Sequence, residues 1–279
     1  MLAGLLLAAC GAAAPSPTAA STAAPLPPAR PSATVASTGT PLPAGPCANP
    51  LVPLLPGASW IYAITGLTTT EQVVIAVVAV SEGHANLHIQ VAGSGSGAQI
   101  TASCENGAIT SFPPVFLVHL LSGILGGDLV ATTLYGVYAP STASLEKNGW
   151  ASSWNRVELL QEGVKVSLPG SNDTVFTTVN SEMIVDMRSA GERVALTVPV
   201  GSYPQALKVA GVARLPVTRL ADAGSQDGEL TVQFSQWYQP YVGLLQMQVD
   251  SAGVAFGSGA RAPFPVNVAV QLIRYQPGG

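Results

Sequence analysis

Between Arg30 and Lys147 the chain has neither lysine nor arginine. Phosphate backbones are held by a basic face, so this absence argues against nucleic acid as a partner. It also removes the usual counter-charge for anionic lipid headgroups. Charge is scarce throughout, at 9% Asp, Glu, Lys and Arg with a net charge of −4, against about 25% in an average globular chain. Histidine occurs only at positions 84, 88 and 119. His84 and His88 are four apart on a predicted strand, so they share a face but lie ~13 Å apart, too far to hold one metal ion. His119 sits in an apolar run and reads as a hydrogen-bonded core residue. The letters of a nucleophile elbow occur in GSGSG (93–97), but in a hairpin loop and not between a strand and a helix. The acids Glu82, Asp173, Asp222 and Asp227 fall at turns, where they do not converge as a glycosidase pair must. No phosphate loop or dinucleotide fingerprint is present. The chain is therefore expected to be a non-enzyme with no metal and no cofactor. No uninterrupted apolar run reaches the ~18 residues of a membrane-spanning helix.

Three cysteines remain to be placed, at 10, 47 and 104. Cys10 ends an apolar run as Leu7-Ala8-Ala9-Cys10, where a secretory signal is cut beside small residues. These four residues resemble the lipobox of bacterial lipoproteins. That resemblance implies that the Cys10 thiol carries a diacylglyceryl group, that residues 1–9 are a signal peptide, and that the mature chain begins at Cys10. Nine residues without a basic one are short for a signal, and a misplaced start codon, with the true one upstream, would explain both departures. One acyl chain anchors only marginally, at about 0.8 kcal/mol per buried methylene, whereas two or three hold a protein durably.

Residues 11–46 are almost wholly Ala, Pro, Ser and Thr, with Arg30 the one charge. Such a composition does not bury enough apolar surface to offset the entropy of ordering, and predicts a disordered linker. As a flexible chain it spans about 33 Å, and fully extended about 110 Å. It reads as a tether between membrane and domain. Cys47 and Cys104 are then an even pair in an exported chain, expected to form a disulfide. Two separate thiols are the alternative, and zinc-like spacing is lacking.

Residues 47–277 read as one β-rich domain. SWIYAIT (59–65), TTTEQVVIAVVAVS (68–81) and HANLHIQVA (84–92) are rich in Val, Ile and Thr and punctuated by glycine, which predicts an antiparallel meander. Asn106-Gly107 between two apolar runs predicts a tight hairpin just after Cys104. VFLVHLLSGILGGDLV (115–130) is apolar on all faces and predicts a short buried helical segment. Its alternative roles are hydrophobic ligand binding or contact with a lipid surface. Strands resume at 149, with turn signals at QEG (161–163), PGSND (169–173), SAGE (189–192) and GSQDG (224–228). In TVQFSQW (231–237), Val232, Phe234 and Trp237 are expected to face away from the polar residues between them. The fold class is mainly β: curved antiparallel sheet, half-barrel or sandwich-like.

Three pieces carry a second resemblance. Pro56-Gly57 precedes Trp60 and Tyr62; Val198-Pro199-Val200-Gly201 precedes Tyr203; Trp237-Tyr238 and Pro240 precede Gly243-Leu244. This order resembles secreted and lipid-anchored bacterial β proteins of the TapB-like type. The resemblance implies curved antiparallel sheets similar to the half-barrel of lipoprotein carriers, and it implies no catalytic residues. The shared Trp60, Tyr62, Pro199, Gly201, Trp237, Tyr238 and Gly243 are structural in character.

The expected role is thus that of an extracytoplasmic protein, anchored to a bacterial membrane through lipidated Cys10. It would have a non-enzymatic binding or structural role in the cell envelope. The alternative is a carrier or sensor holding an apolar small molecule in the concave face of the sheet. A hydrolase is the weakest reading. The partner is the membrane, with an envelope protein or an apolar ligand as the further candidate.

Overall fold

Alternation of β-branched and polar residues builds most of this chain. In the computed structural model the described residues are 47–66, 70–92, 97–125, 129–161, 165–167, 174–176, 181–221, 224–257, 259, 261–264 and 266–278. The signal segment, Cys10, the linker, the GSGSG residues 93–96, Asp173 and Asp222 lie outside them.

Five strands form the first meander: β1 Ser59–Thr65, β2 Glu71–Ser81, β3 His84–Val91, β4 Gly97–Glu105 and β5 Ala108–Ser111. Trp60, Tyr62 and Ile64 of β1 are buried while the residues between them are not, the period-2 pattern of a sheet with one solvated face. Asn106 (φ 50°) and Gly107 (φ 78°) make the predicted tight turn between β4 and β5, both in the left-handed region that Asn-Gly tolerates.

Helix α1, Val115–Leu125, follows. Pro113 and Pro114 precede it, where a missing N–H costs nothing, and the Pro114 carbonyl accepts from Val118 N at 2.9 Å. Phe116, Leu117, Leu120 and Leu121 are buried. The helix is shorter than the expected 115–130. Val130 already belongs to a strand that the sequence reading missed, β6 Val130–Gly136. A short helix α2, Thr142–Lys147, capped by Ser141, leads into β7 Ala151–Gln161.

The remaining strands are β8 Lys165–Ser167, β9 Thr174–Phe176, β10 Ser181–Val198, β11 Gly201–Ala221, β12 Gly224–Gln239, β13 Gly243–Phe256, β14 Ala262–Phe264 and β15 Ala269–Gln276. They are longer than the regular turn signals implied. SAGE is not a hairpin; it lies inside β10, where the pairing with β11 slips between Ser189 and Arg193. GSQDG is the first part of β12 and pairs with β11. At GSQDG the ladder hydrogen bonds outweigh local turn propensity, and at SAGE the strand absorbs the turn residues as a local irregularity.

All pairings are antiparallel. The strand order is β5-β4-β3-β2-β1-β15-β13-β12-β11-β10-β7-β6. Read from β6, this is chain order wrapped through the termini, so β1 lies beside β15. The result is one nearly closed, barrel-like antiparallel sheet rather than a sandwich. Its ends are β5 and β6, and the chain just past β6 meets β5 through the isolated bridge Ile109–Ala139. That place is the seam.

The inner face holds one continuous core that includes Leu87, Leu160, Met183, Leu207, Phe234 and Leu272. Trp237 departs from expectation. Val232, Phe234, Gln236 and Tyr238 are the buried set on β12, so Trp237 points to the other face and is half-buried. A one-residue offset reverses the face in a strand. The buried amide of Gln236 bonds the Tyr238 hydroxyl at 2.9 Å and Met247 Sδ at 3.6 Å, which explains a polar residue inside.

Candidate functional site

The residues ahead of β1, Cys47–Pro56, form a strap that closes the seam. Cys47 and Cys104 are disulfide-bonded, which fixes the strap to the end of β4. Asn49 is fully buried. Its amide donates to the carbonyls of Gly107 at 2.9 Å and Pro140 at 2.8 Å. Its Oδ1 accepts from Leu51 N at 2.9 Å and Val52 N at 3.1 Å. Tyr241 N donates to Pro50 O at 2.8 Å. Leu51 and Leu54 are buried.

The aromatic residues of β1 meet the β12–β13 turn behind this strap. Trp60 Nε1 donates to Val242 O at 2.6 Å, and the Tyr62 hydroxyl donates to Leu244 O at 3.1 Å. Gly243 has φ 104°, and a Cβ there would stand 3.3 Å from Trp60 Nε1, so the close approach requires glycine. Trp60 stacks on Tyr275, and Tyr62 meets Phe116 of α1 edge-on at 4.7 Å between ring centres. Of the predicted structural residues, the fold brings together Trp60, Tyr62, Tyr238 and Gly243. It does not bring Trp237, on the opposite face, or Pro199 and Gly201, which lie at the β10–β11 turn with Pro199 exposed.

Trp60, Tyr62, Phe112, Phe116, Tyr138 and Tyr238 are among the side chains around a small interior space of about 30 Å³. That is room for about two waters and far below the few hundred Å³ of a ligand pocket. The concave face is therefore packed at this place.

One polar pair lies in this interior. Arg156 and Glu158 of β7 are buried and ion-paired. The buried Arg156 guanidinium stands 4.5 Å over the Tyr138 ring, a cation–π contact. Trp154 Nε1 on the same strand face donates to Tyr138 O at 3.0 Å. Burial raises the Glu158 carboxyl above its ordinary pKa, with the Arg156 charge and hydrogen bond opposing. Burial likewise raises Tyr62, Tyr138 and Tyr238. Glu158 Oε2 and Thr133 Oγ1, on register-paired residues of β7 and β6, are buried without a hydrogen-bond partner. The sequence reading passed over this pair. The signal was available in WNRVELL, where alternation places Arg156 and Glu158 on the same face as Leu160.

Elsewhere among the described residues the titratable side chains meet in isolated pairs. His84 and His88 lie on the exposed face of β3. His119 is not a core residue; its partly exposed ring places Nε2 3.0 Å from Glu71 Oε2. An open groove of about 520 Å³ crosses β7, β10 and β11. Beside it Asp186 and Arg214 form an ion pair. Among the described residues no three metal-ligating side chains converge, and no helix is long and apolar enough to cross a membrane.

No family model matches the sequence, and no curated protein matches it. Two solved structures are similar in outline. One, from Bacteroides fragilis NCTC 9343, is described as an exported protein with a YmcC-like fold; it shares 13% identity over 79% of this chain and 96% of its own, with TM-score 0.44. The other, from Parabacteroides distasonis ATCC 8503, is described as a lipoprotein; it shares 11% identity over 80% of this chain and 97% of its own, with TM-score 0.43. At these values the likeness carries no functional argument.

Proposed function

We propose that this chain is an extracytoplasmic, lipid-anchored β module with a binding or structural role in the cell envelope, and that it is not an enzyme. The observation that carries the reading is the Cys47–Cys104 disulfide, a bond that persists in oxidising compartments and is rare in reducing ones. The Leu7-Ala8-Ala9-Cys10 sequence supplies the anchor, and residues 11–46 supply the leash. The TapB-like arrangement of Trp60, Tyr62 and Gly243 supports a secreted β module. The packed interior and the separation of the histidines support a role without chemistry.

Metabolic labelling of a bacterial host with a palmitate analogue tests it. Wild-type protein is expected to take up label and to fractionate with membranes, and Cys10→Ala to lose both. Unlabelled wild-type protein in the cytosol, with free thiols at Cys47 and Cys104, overturns the reading.

A further inference from the structure

The linker of residues 11–46 joins the domain at Cys47, and Cys47 is itself bonded to Cys104. A pull on the linker therefore meets a cross-link before it meets the strap. Cys104 lies next to the end of β4, between β3 and β5. Its N–H donates to the Gly83 carbonyl at 2.8 Å, and Ile109 of β5 is its register partner. The far end of the strap is fixed separately. Gly57 N donates to Val77 O at 2.9 Å, and Val77 N donates to Ala58 O at 2.8 Å.

Between these two fixed points the strap is held by the hydrogen bonds of the Asn49 side chain, by the bond from Tyr241 N to Pro50 O, and by the buried Leu51 and Leu54. Each such hydrogen bond contributes about 1 kcal/mol net. A load on Ala48 opens them one after another, starting at Asn49, so they do not resist together. Loss of the strap frees the Gly107 and Pro140 carbonyls that Asn49 holds across the seam. It also uncovers the space walled by Trp60, Tyr62, Phe116 and Tyr238.

We infer that the Cys47–Cys104 bond is a mechanical shunt: it passes tension from the linker into β4 and leaves the strap unloaded. Hydrogen bonds yield to a steady pull that a covalent bond withstands. With the bond closed, Cys47 stays at a Cα–Cα distance of 5.0 Å from Cys104. The strap beyond it carries no load until β4 leaves the sheet. β4 is laddered on both sides, to β3 and to β5, so it is the better held of the two. The disulfide thus acts on load from one direction, in addition to stabilising the fold in general. That the linker is pulled in the cell rests on the anchored reading above. The path of the load rests on the fold alone, and it is measured by applying the load directly.

Optical tweezers on the full chain carrying Cys10→Ser test it, with the handles on azide-bearing residues in place of Arg30 and the exposed Ala190. With the bond closed, the barrel should unfold with no earlier step. With a dithiol present, an early step at lower force should lengthen the chain by roughly 35 Å, the reach of the chain from Cys47 to Gly57. Asn49→Ala should lower the force of that step, and should not produce it while the bond is closed. Handles in place of the exposed Glu82 and Ala190 bypass the linker, and between them the dithiol should produce no such step. An early step with the bond closed overturns the proposal, because the strap is then loaded in spite of the cross-link. Reduced protein without an early step also overturns it, since strap and barrel then yield as one. A dithiol-dependent step of the same length between Glu82 and Ala190 overturns it too, and leaves the disulfide a general stabiliser only.

Discussion

Asn49 donates from its side-chain amide to the Pro140 carbonyl at 2.8 Å, joining the chain ahead of β1 to the chain beyond β6. Where the ladder stops at Ile109–Ala139, one buried amide takes over its work. It satisfies two carbonyls and two backbone N–H groups that would otherwise be buried unpaired. Such groups cost more left unmade than made bonds contribute.

Asn49→Ala should therefore destabilise the fold by about 3 kcal/mol. Asn49→Asp keeps Oδ1 but turns a buried charged oxygen towards the Gly107 and Pro140 carbonyls, so at neutral pH it should cost at least as much as the alanine variant. Urea unfolding monitored by far-UV circular dichroism reads both. A loss under ~0.5 kcal/mol for the alanine variant would mean that the strap is bound by its leucines alone.

The disulfide closes a loop with a sequence separation of 57 residues. On the chain-entropy model, opening it should cost about 4 kcal/mol. Cys47→Ser and Cys104→Ser should each show that loss, and the double variant should lose no more than either one. Denaturant midpoints with and without a dithiol check it: wild type should respond to the dithiol and the variants should not.

The first five strands were readable in short sequence stretches because local and global preferences agree there. Asn106-Gly107 asks for a tight hairpin and receives one; Val, Ile and Thr alternate through β1–β3. In the second half they disagree. Ser189–Glu192 reads as a turn, yet β10 carries it as an irregularity: Ser189 and Ala190 still pair with β7, and the β11 ladder breaks after Ser189 and resumes at Arg193. The site was less legible. Cys47 with Cys104 was predicted by their number and setting. Asn49 looks like any polar residue in a proline-rich lead-in, and its role depends on Gly107 and Pro140, 58 and 91 residues away.

Trp60 and Trp237 test the strand faces. Trp60 is 4% exposed and hydrogen-bonded; Trp237 is half-buried on the outer face. Trp60→Ala should cost about 3–5 kcal/mol, and Trp237→Ala roughly 1–2. Denaturant unfolding of the two variants compares them directly. Equal losses would place Trp237 in the core after all.

Arg156 and Glu158 give a prediction in pH. Burial raises the Glu158 pKa above 4.5, against the pull of Arg156, so the folded protein holds that proton more tightly than the unfolded chain does. Its contribution to stability is fully present below the unfolded pKa and is lost as pH rises through the folded one. Wild-type stability should thus decline above pH 4.5 relative to Glu158→Gln, whose side chain does not titrate there. Melting temperatures of the two proteins from pH 4 to pH 8, taken as a difference, isolate the group. The pair itself follows a different rule. Removing one partner leaves a buried charge, so Arg156→Ala should cost about 3–5 kcal/mol, whereas Arg156→Met with Glu158→Leu should be near neutral or stabilising. A double variant as unstable as Arg156→Ala would show that the barrel interior needs the polar pair itself and not merely its volume.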